Sequence, residues 1–170
     1  RHRCFRDRNM TLVVFDLDGT LLNKDSKISQ FTAETLEKMR QKNILYTVAT
    51  GRTLQAAANP LRNQCFTLPM ILKNGAIIWC PIKKRYSHHH LLTAQEVWPV
   101  LSAFNANDLT PFVFSLDNSE DHALYHGALK STSEQKLAQL FEDERSLPLE
   151  PLAKMPKEMR AINVFSVGCE

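Results

Sequence analysis

Two carboxylates separated by one residue, Asp16 and Asp18, have the clearest capacity for chemistry in this sequence. Residues i and i+2 of an extended strand point to the same side, so we expect the two side chains to converge on one point. Two such carboxylates repel each other at neutral pH unless a cation or a shared proton lies between them. With Mg²⁺ bound, one Asp can act as a nucleophile and the other can transfer a proton.

An Asp-x-Asp sequence also occurs in two kinds of loop that perform no such chemistry. The first is a strand that ends in an Asp-rich turn and has no chemical role. The second is a calcium-binding EF-hand loop, which needs a Glu at its twelfth position. The twelfth residue counted from Asp16 is Lys27, so the sequence excludes the EF-hand and leaves the simple turn open.

The elements around Asp16 place it at the edge of a parallel sheet. Residues 12–15 are an apolar run without polar alternation, which predicts a strand buried on both faces. Ser29 caps a predicted helix that ends near Lys42, and residues 44–48 form a second predicted strand. This β-α-β order implies a parallel pair, and open sheets of this type bind ligands at the carboxyl ends of their strands.

A second polar segment, Ala49-Thr50-Gly51-Arg52, follows the second predicted strand. The Thr50 hydroxyl can donate to a phosphate oxygen, and Gly51 permits close approach of the backbone. A predicted helix begins near Leu54, so its free N–H groups and positive dipole end lie nearby. These features indicate a phosphoryl-binding corner that faces the two aspartates, although Thr50 alone also fits a simple helix cap.

These segments resemble a known family. The ten residues from Val13 to Leu22, Val-Val-Phe-Asp-Leu-Asp-Gly-Thr-Leu-Leu, resemble the first motif of the haloacid dehalogenase superfamily, whose phosphatases form an aspartyl phosphate. Residues 49–52 are similar to its second motif, in which the Thr binds the transferring phosphoryl group. Asn74-Gly75-Ala76 resembles a segment of the Cof-type sugar phosphatase branch. Lys73 departs from that pattern, in which we expect Ser or Thr.

The resemblance implies a Mg²⁺-dependent phosphomonoester hydrolase that acts on small phosphorylated metabolites, sugar phosphates among them. Asp16 is then the nucleophile, Asp18 the general acid and base, and both are Mg²⁺ ligands. The residues implied to hold the phosphate or substrate are Thr50, Gly51, Arg52 and Asn74. Arg52 is equally suited to brace the loop, and Asn74 to form a simple turn. A phosphomutase that uses the same aspartyl phosphate is a weaker alternative.

The predicted fold class is α/β, with an incomplete Rossmann-like parallel-sheet core and an inserted α+β cap. Residues 1–9 form a disordered basic tail in this division, residues 10–80 the amino-terminal part of the core, and residues 81–170 the cap. Such caps select the substrate and exclude water from the phosphoenzyme. The predicted cap elements are a helix at 93–105, strands at 112–116 and 122–127, a helix at 133–144, a proline-rich loop at 148–156 and a strand at 161–167.

The resemblance covers the first two motifs and the cap only. A lysine downstream of the cap and a Gly-Asp motif with further metal ligands have no counterpart in these 170 residues. Lys73 ends a predicted core strand and is a candidate to replace the missing lysine. The expected strand order, however, places Lys73 two strands from Asp16. We therefore expect either a catalytically incomplete or non-catalytic chain, or a core sheet completed by a missing segment or a partner chain.

Charge and composition limit the kinds of partner that we expect this chain to bind. The net charge of +3 equals that of the first nine residues, which contain four Arg and one Asp. The remainder is neutral, so we predict no nucleic-acid partner. No apolar run is long enough to span a bilayer, and the four Cys lack a metal-binding spacing, as in cytoplasmic proteins with reduced thiols. The adjacent residues His88, His89 and His90 point alternately in a strand and do not predict a metal site.

Overall fold

The computed structural model describes residues 11–145 and 147–167, and the chain divides into two compact units after His88. The predicted basic tail at residues 1–9 lies outside the described residues. Strand β5 joins the sheet of β3 and β4, which groups residues 81–88 with the first unit. Among the described residues, no helix is both long and apolar enough to cross a bilayer.

The first unit contains the predicted parallel strand pair. Its elements are β1 (Leu12–Phe15), α1 (Gln30–Gln41), β2 (Leu45–Val48), α2 (Leu54–Leu61), β3 (Met70–Leu72), β4 (Ile77–Cys80) and β5 (Arg85–His89). Strands β1 and β2 pair in parallel from Leu12 opposite Leu45 to Phe15 opposite Val48. Beyond β2, Ala49 forms a parallel bridge with Ile71 of β3. The carboxyl ends of these three strands therefore lie side by side.

Local signals fix the helices of this unit. The Ser29 side chain accepts a hydrogen bond from the Thr32 N–H at 3.1 Å, and Thr53 accepts one from the Ala56 N–H at 3.2 Å. Each hydroxyl satisfies an N–H group that the first turn of a helix leaves without a partner. Thr53 is fully buried, so the start of α2 is anchored in the core of the unit.

The prediction that the first strand is buried on both faces is wrong. Leu12 is 54% exposed and Val14 is 46% exposed, although both are apolar. The described sheet contains β2 on one edge of β1 and no strand on the other. An apolar strand without a second neighbour keeps one edge and part of its surface in solvent.

The second unit is a five-stranded sheet between two helices. Its elements are β6 (Leu92–Thr93), α3 (Ala94–Ala106), β7 (Phe112–Leu116), β8 (His122–His126), α4 (Thr132–Arg145), β9 (Leu149–Pro151) and β10 (Arg160–Phe165). The strand order is β6-β10-β7-β8-β9. Strand β9, parallel to β8, corrects the prediction of a loop at 148–156.

Strand β7 is the centre of this unit, since all five of its residues are buried. Val113 packs in one cluster with Val97 and Leu101 of α3. On the alternate positions, Phe114 contacts Phe141 of α4, with ring centroids 6.1 Å apart. Because successive side chains of a strand point to opposite faces, α3 and α4 cover opposite faces of the sheet.

A buried carboxylate begins helix α4. Glu134 is 6% exposed, and its Oε2 accepts the N–H groups of Lys130 at 2.5 Å and Ser131 at 3.0 Å. The Ser131 hydroxyl accepts the Glu134 N–H in return, which completes a capping box. Burial raises the pKa of Glu134, but the hydrogen bonds outweigh burial and hold it below its ordinary value.

We expect Glu134→Gln to destabilise the second unit at neutral pH and to remove a pH-dependent part of its stability. A depressed pKa in the folded state adds stability above the unfolded pKa, and this stability is lost as the pH falls through the folded pKa. The urea midpoints of the wild type and the variant should therefore differ at pH 7 and converge as the pH falls below about 4. Glu142→Gln, on an exposed part of α4, is the control, and equal midpoints of Glu134→Gln and wild type at pH 7 would contradict the assignment.

Candidate active site

Asp16 and Asp18 lie directly after β1, on either side of a buried residue. Leu17 has no exposed surface, whereas both aspartates are exposed. The turn continues through Gly19, whose φ of +73° is the left-handed conformation that glycine adopts without strain. Both carboxylates therefore reach solvent at the carboxyl end of the strand, as the sequence predicts.

The two aspartate side chains differ in their hydrogen bonds. Asp16 makes no side-chain hydrogen bond or ion pair with any described residue. Asp18 receives two hydrogen bonds from the Arg52 guanidinium, from Nη2 to Oδ1 at 2.5 Å and from Nε to Oδ2 at 2.9 Å. Such a two-point pair fixes the plane as well as the position of the carboxylate. The free carboxylate is the better placed of the two to act as a nucleophile.

Arg52 is itself anchored at several points. Its Nη1 donates to the Ala56 carbonyl of α2 at 3.1 Å, and its Nη2 donates to the Ser26 hydroxyl at 3.2 Å. The bond to Asp18 raises the pKa of Arg52 above its ordinary value. Arg52 thus ties the loop after β1 to the first turns of α2, and Asp18 is held between them.

The segment after β2, which the sequence predicts to bind a phosphoryl group, packs closely against Asn74. Thr50 is 5% exposed, and its Oγ1 accepts the Arg52 N–H at 3.1 Å. No described residue accepts a hydrogen bond from that hydroxyl, so the hydroxyl can donate to a ligand. A Cβ atom placed on Gly51 would lie 3.0 Å from the Asn74 Oδ1, so glycine permits the close approach of these two segments.

Asn74 joins the corner from the end of β3. Its N–H donates to the Thr50 carbonyl at 3.1 Å, while the Lys73 N–H donates to the Arg52 carbonyl at 3.2 Å. Lys73 and Asn74 have φ values of +50° and +55°, a conformation that costs a non-glycine residue about 1 kcal/mol. Backbone strain of this kind often marks functional sites, and here it brings the Asn74 amide against Gly51.

The structure thus gathers Asp16, Asp18 and the Thr50–Arg52 segment with Asn74 at neighbouring strand ends. It places Arg52 on Asp18, a pairing that the sequence analysis missed, and it adds Ser26 and Ala56 as anchors of Arg52. The sequence signal for this pairing was an arginine in the segment that is predicted to face two aspartates. Lys73 follows β3, which lies two strands from β1, as the predicted order implies.

The donors near Asp16 suit a hard cation only in part. The described residues contain no group of three or more His, Cys, Asp or Glu that could hold a metal ion. Asp16 offers a carboxylate, but Arg52 contacts both carboxylate oxygens of Asp18. Mg²⁺ in phosphoryl-transfer sites needs only one or two carboxylates and completes its shell with phosphate and water. The Asp16 carboxylate therefore fits Mg²⁺ in the presence of a phosphorylated ligand.

A family model described as haloacid dehalogenase-like hydrolase matches residues 13–168. The chain belongs to this family. The predicted family membership and the α/β fold class are thereby confirmed. The match begins in β1, directly before Asp16, and extends through the second unit, so both units belong to the matched region.

Curated relatives of this haloacid dehalogenase-like chain are phosphatases. It is 29% identical over 79 residues to the 5-amino-6-(5-phospho-D-ribitylamino)uracil phosphatase YitU of Bacillus subtilis, which covers 46% of this chain and 29% of the relative. It is 46% identical over 41 residues to an HMP-PP phosphatase of Klebsiella pneumoniae, which covers 24% of this chain and 15% of the relative. The chain thus spans less than a third of the length of either relative.

Solved structures of the family share the fold. A haloacid dehalogenase-like hydrolase from B. subtilis superposes with a TM-score of 0.69 at 19% identity, over 94% of this chain and 62% of that one. The subclass IIB sugar phosphatase BT4131 superposes with a TM-score of 0.63 at 20% identity, over 85% of this chain and 54% of that one. At these identities the likeness shows the fold alone.

Proposed function

We propose that this chain carries the nucleophile and the phosphoryl-binding corner of a phosphomonoester hydrolase that works through an aspartyl phosphate. The observation that carries the proposal is the contrast between the Asp16 carboxylate, which has no side-chain partner in the described part of the chain, and the Asp18 carboxylate, which Arg52 holds. The Asp16 carboxylate is available for attack, and Asp18 can transfer a proton once one of its two hydrogen bonds from Arg52 opens. Thr50, Gly51 and Asn74 form the corner next to them.

The proposed reaction has two steps. An Asp16 carboxylate oxygen attacks phosphorus, and the bond from phosphorus to the ester oxygen breaks. Asp18, which takes up a proton once a hydrogen bond from Arg52 has opened, gives that proton to the leaving alkoxide. Water then attacks phosphorus of the acyl phosphate, Asp18 accepts a proton from that water, and inorganic phosphate leaves Asp16. The Thr50 hydroxyl donates to a phosphoryl oxygen in both steps.

Mg²⁺ is part of this proposal. Asp16 would hold it, with the backbone carbonyl of Asp18 as a second ligand. When bound, the cation would neutralise the negative charge on the phosphoryl oxygens, since the nearby carboxylates are themselves negative. Proton transfer by Asp18 depends on Arg52, which orients the Asp18 carboxylate. At least one of the two hydrogen bonds from Arg52 must open before Asp18 reaches the leaving group.

We propose small phosphorylated metabolites as substrates, sugar phosphates among them. This rests on the names of the relatives, since YitU is named for a phosphorylated ribitylamino-uracil and BT4131 is described as a sugar phosphatase. Both names describe small phosphorylated molecules.

The test is hydrolysis of p-nitrophenyl phosphate by the purified chain. Turnover that requires Mg²⁺ and stops with a chelator is the expected result, with a phosphoenzyme that adds the mass of one phosphoryl group to the intact chain. A folded chain that gives neither turnover nor phosphoenzyme would overturn the proposal.

A non-catalytic chain that only binds phosphate is the second candidate. The two bonds from Arg52 to Asp18 favour it, because they occupy both oxygens of the proposed proton donor. Phosphate binding that is independent of Mg²⁺, without hydrolysis of p-nitrophenyl phosphate, is the result expected for this function.

The open edge of β1 belongs to the same proposal. Leu12 and Val14 are about half exposed, and the described sheet leaves one edge of β1 without a neighbour. We expect a further strand, from more of the polypeptide or from a partner chain, to pair there and cover these side chains. Amide exchange along β1 should then be fast in the isolated chain and slow when the covering strand is present; equal rates would contradict this.

Arg52→Ala is expected to lower kcat for p-nitrophenyl phosphate about tenfold to a hundredfold, the cost of a misplaced catalytic group. The change removes the group that ties Asp18 to Ser26 and Ala56. Arg52→Lys should restore little, since an ammonium cannot form two parallel bonds to a carboxylate. Arg62→Ala, an exposed arginine at the end of α2, is the control; equal kcat values for Arg52→Ala and Arg62→Ala would show that Arg52 does not position Asp18.

A further inference from the structure

The second unit contains a cleft of about 360 Å³ that the phosphoryl chemistry does not use. One wall is helix α3, and the other is formed where the chain enters β7, at Pro111, and leaves β8, at Gly127. The volume is in the range of sites for small molecules and accommodates a ligand of one or two rings.

The wall from α3 presents an open aromatic surface. Trp98, Leu101, Ser102 and Asn105 line the cleft at positions i, i+3, i+4 and i+7, which share one face of a helix. Leu101 is buried in the core, whereas Trp98 remains 44% exposed. A helix face that is half packed and half open leaves the indole ring available for stacking.

The opposite wall brings two segments of the chain into close contact at Gly127. A Cβ atom on Gly127 would lie 2.9 Å from the Pro111 Cδ, closer than such atoms approach in proteins. The Gly127 N–H donates to the Pro111 carbonyl at 2.9 Å, which fixes the two segments against each other. The Pro111 ring offers an apolar surface to a ligand, and the rest of this side of the cleft is lined by Leu109, Thr110, Ala128 and Leu152.

Two side chains that line the cleft carry hydrogen-bonding groups. The Trp98 indole N–H and the Asn105 side-chain amide have no partner among the described residues. By contrast, the Ser102 hydroxyl donates to the Trp98 carbonyl at 3.0 Å. A mostly apolar site with a few polar groups is the usual composition of a small-molecule site, in which those groups orient the ligand.

Lys130 is the charged residue among those that line the cleft. Its ammonium contacts the Asp108 carboxylate and donates to the Asp108 carbonyl at 3.1 Å. The side chain is 47% exposed, and an ammonium has three donors. Two of these donors meet Asp108, which leaves one for an acceptor group of a ligand.

We propose that this cleft binds a small planar heteroaromatic carboxylate. The ring stacks on the Trp98 indole and lies along Pro111, a ring or carbonyl acceptor meets the Trp98 N–H or the Asn105 amide, and the carboxylate lies at Lys130. The inference is independent of the proposed phosphatase activity, because every residue that it uses belongs to the second unit.

The experiment follows the indole N–H resonances of the ¹⁵N-labelled full chain. The chain has two tryptophans, so Trp79→Phe assigns the Trp98 resonance, and the Trp79 resonance of the wild type reports non-specific effects. The probes are nicotinate and quinoline-3-carboxylate, with cyclohexanecarboxylate as a probe of equal charge without an aromatic ring. Ligands of this size typically bind with dissociation constants near 1 mM, so titration to about 10 mM is sufficient.

The expected result is a saturable shift of the Trp98 resonance with at least one aromatic acid, while the Trp79 resonance stays in place. Cyclohexanecarboxylate should bind about twofold to tenfold more weakly, which is the range of one aromatic stacking interaction. Asn105→Leu and Lys130→Gln should each weaken binding about tenfold. Gln135→Ala, an exposed amide on α4, is the matched control and should bind as the wild type does.

Three results would overturn the inference. The first is no saturable shift of the Trp98 resonance with either aromatic acid. The second is equal binding of cyclohexanecarboxylate, which would show that the indole does not stack with the ligand. The third is unchanged affinity in both Asn105→Leu and Lys130→Gln, with the remaining spectrum showing that the variants are folded.

Discussion

Replacing Asp16 by Asn is expected to reduce the turnover of p-nitrophenyl phosphate by at least about a thousandfold. The amide keeps the size of the side chain but cannot form an acyl phosphate, so the covalent route is lost. The phosphoenzyme detected by intact mass should disappear together with turnover. Because Asp16 is exposed and makes no side-chain contact with a described residue, the fold should not change.

The matched control is Asp25→Asn, an exposed acid in the loop that follows the same strand. It changes net charge near the site by the same amount, so a loss caused only by the electrostatic field would appear in both variants. Activity of Asp16→Asn within tenfold of Asp25→Asn would contradict the assignment of Asp16 as the nucleophile. Equal urea midpoints of the two variants would exclude unfolding as the cause of any difference.

Local sequence signals predicted most of the elements. The strand Phe112–Leu116 has the predicted bounds, and helix α1 begins after its predicted cap, Ser29. Hydrophobic periodicity and capping act within one or two turns of chain, so they can be read without the rest of the fold. Strands β6 and β9 were missed because two or three residues carry no periodicity, and Pro151 at the end of β9 favoured a loop.

The burial of β1 could not be read from its own residues. The run Leu12–Phe15 has the composition of a strand buried on both faces, yet its exposure depends on whether another strand lies beside it. That neighbour is a non-local property. The apolar composition instead indicates the environment that this strand is suited to, which is why a covering strand belongs to the proposed function.

The candidate site was predictable in its residues but not in its pairing. Asp16, Asp18 and the Thr50–Arg52 segment follow buried strands, and the strand-end rule for parallel sheets brings them together. The hydrogen bonds from Arg52 to Asp18 join residues 34 positions apart, and the sequence equally allows Arg52 to meet a phosphate. Only the structure distinguishes these uses, because they differ in a side-chain direction.

Phe114→Ala is expected to lower the free energy of unfolding of the second unit by about 3–5 kcal/mol, the usual cost of truncating a fully buried Phe. Phe114 has no exposed surface and lies on the central strand of the sheet. Its ring meets His122 and Phe141 edge-on, with centroids 5.8 and 6.1 Å away. The variant therefore loses the contacts that join the sheet to α4, in addition to the transfer free energy of the ring.

The measurement is urea unfolding of the second unit, followed by the fluorescence of Trp98 in a Trp79→Phe background. Phe31→Ala, the same substitution at a side chain that is 78% exposed, is the control and should change stability by less than about 0.5 kcal/mol. Phe114→Leu should recover part of the loss, because a leucine fills some of the cavity. A loss below about 1 kcal/mol in Phe114→Ala would mean that the ring is not enclosed between β7 and α4, and the arrangement of helices on opposite faces of the sheet would then be wrong.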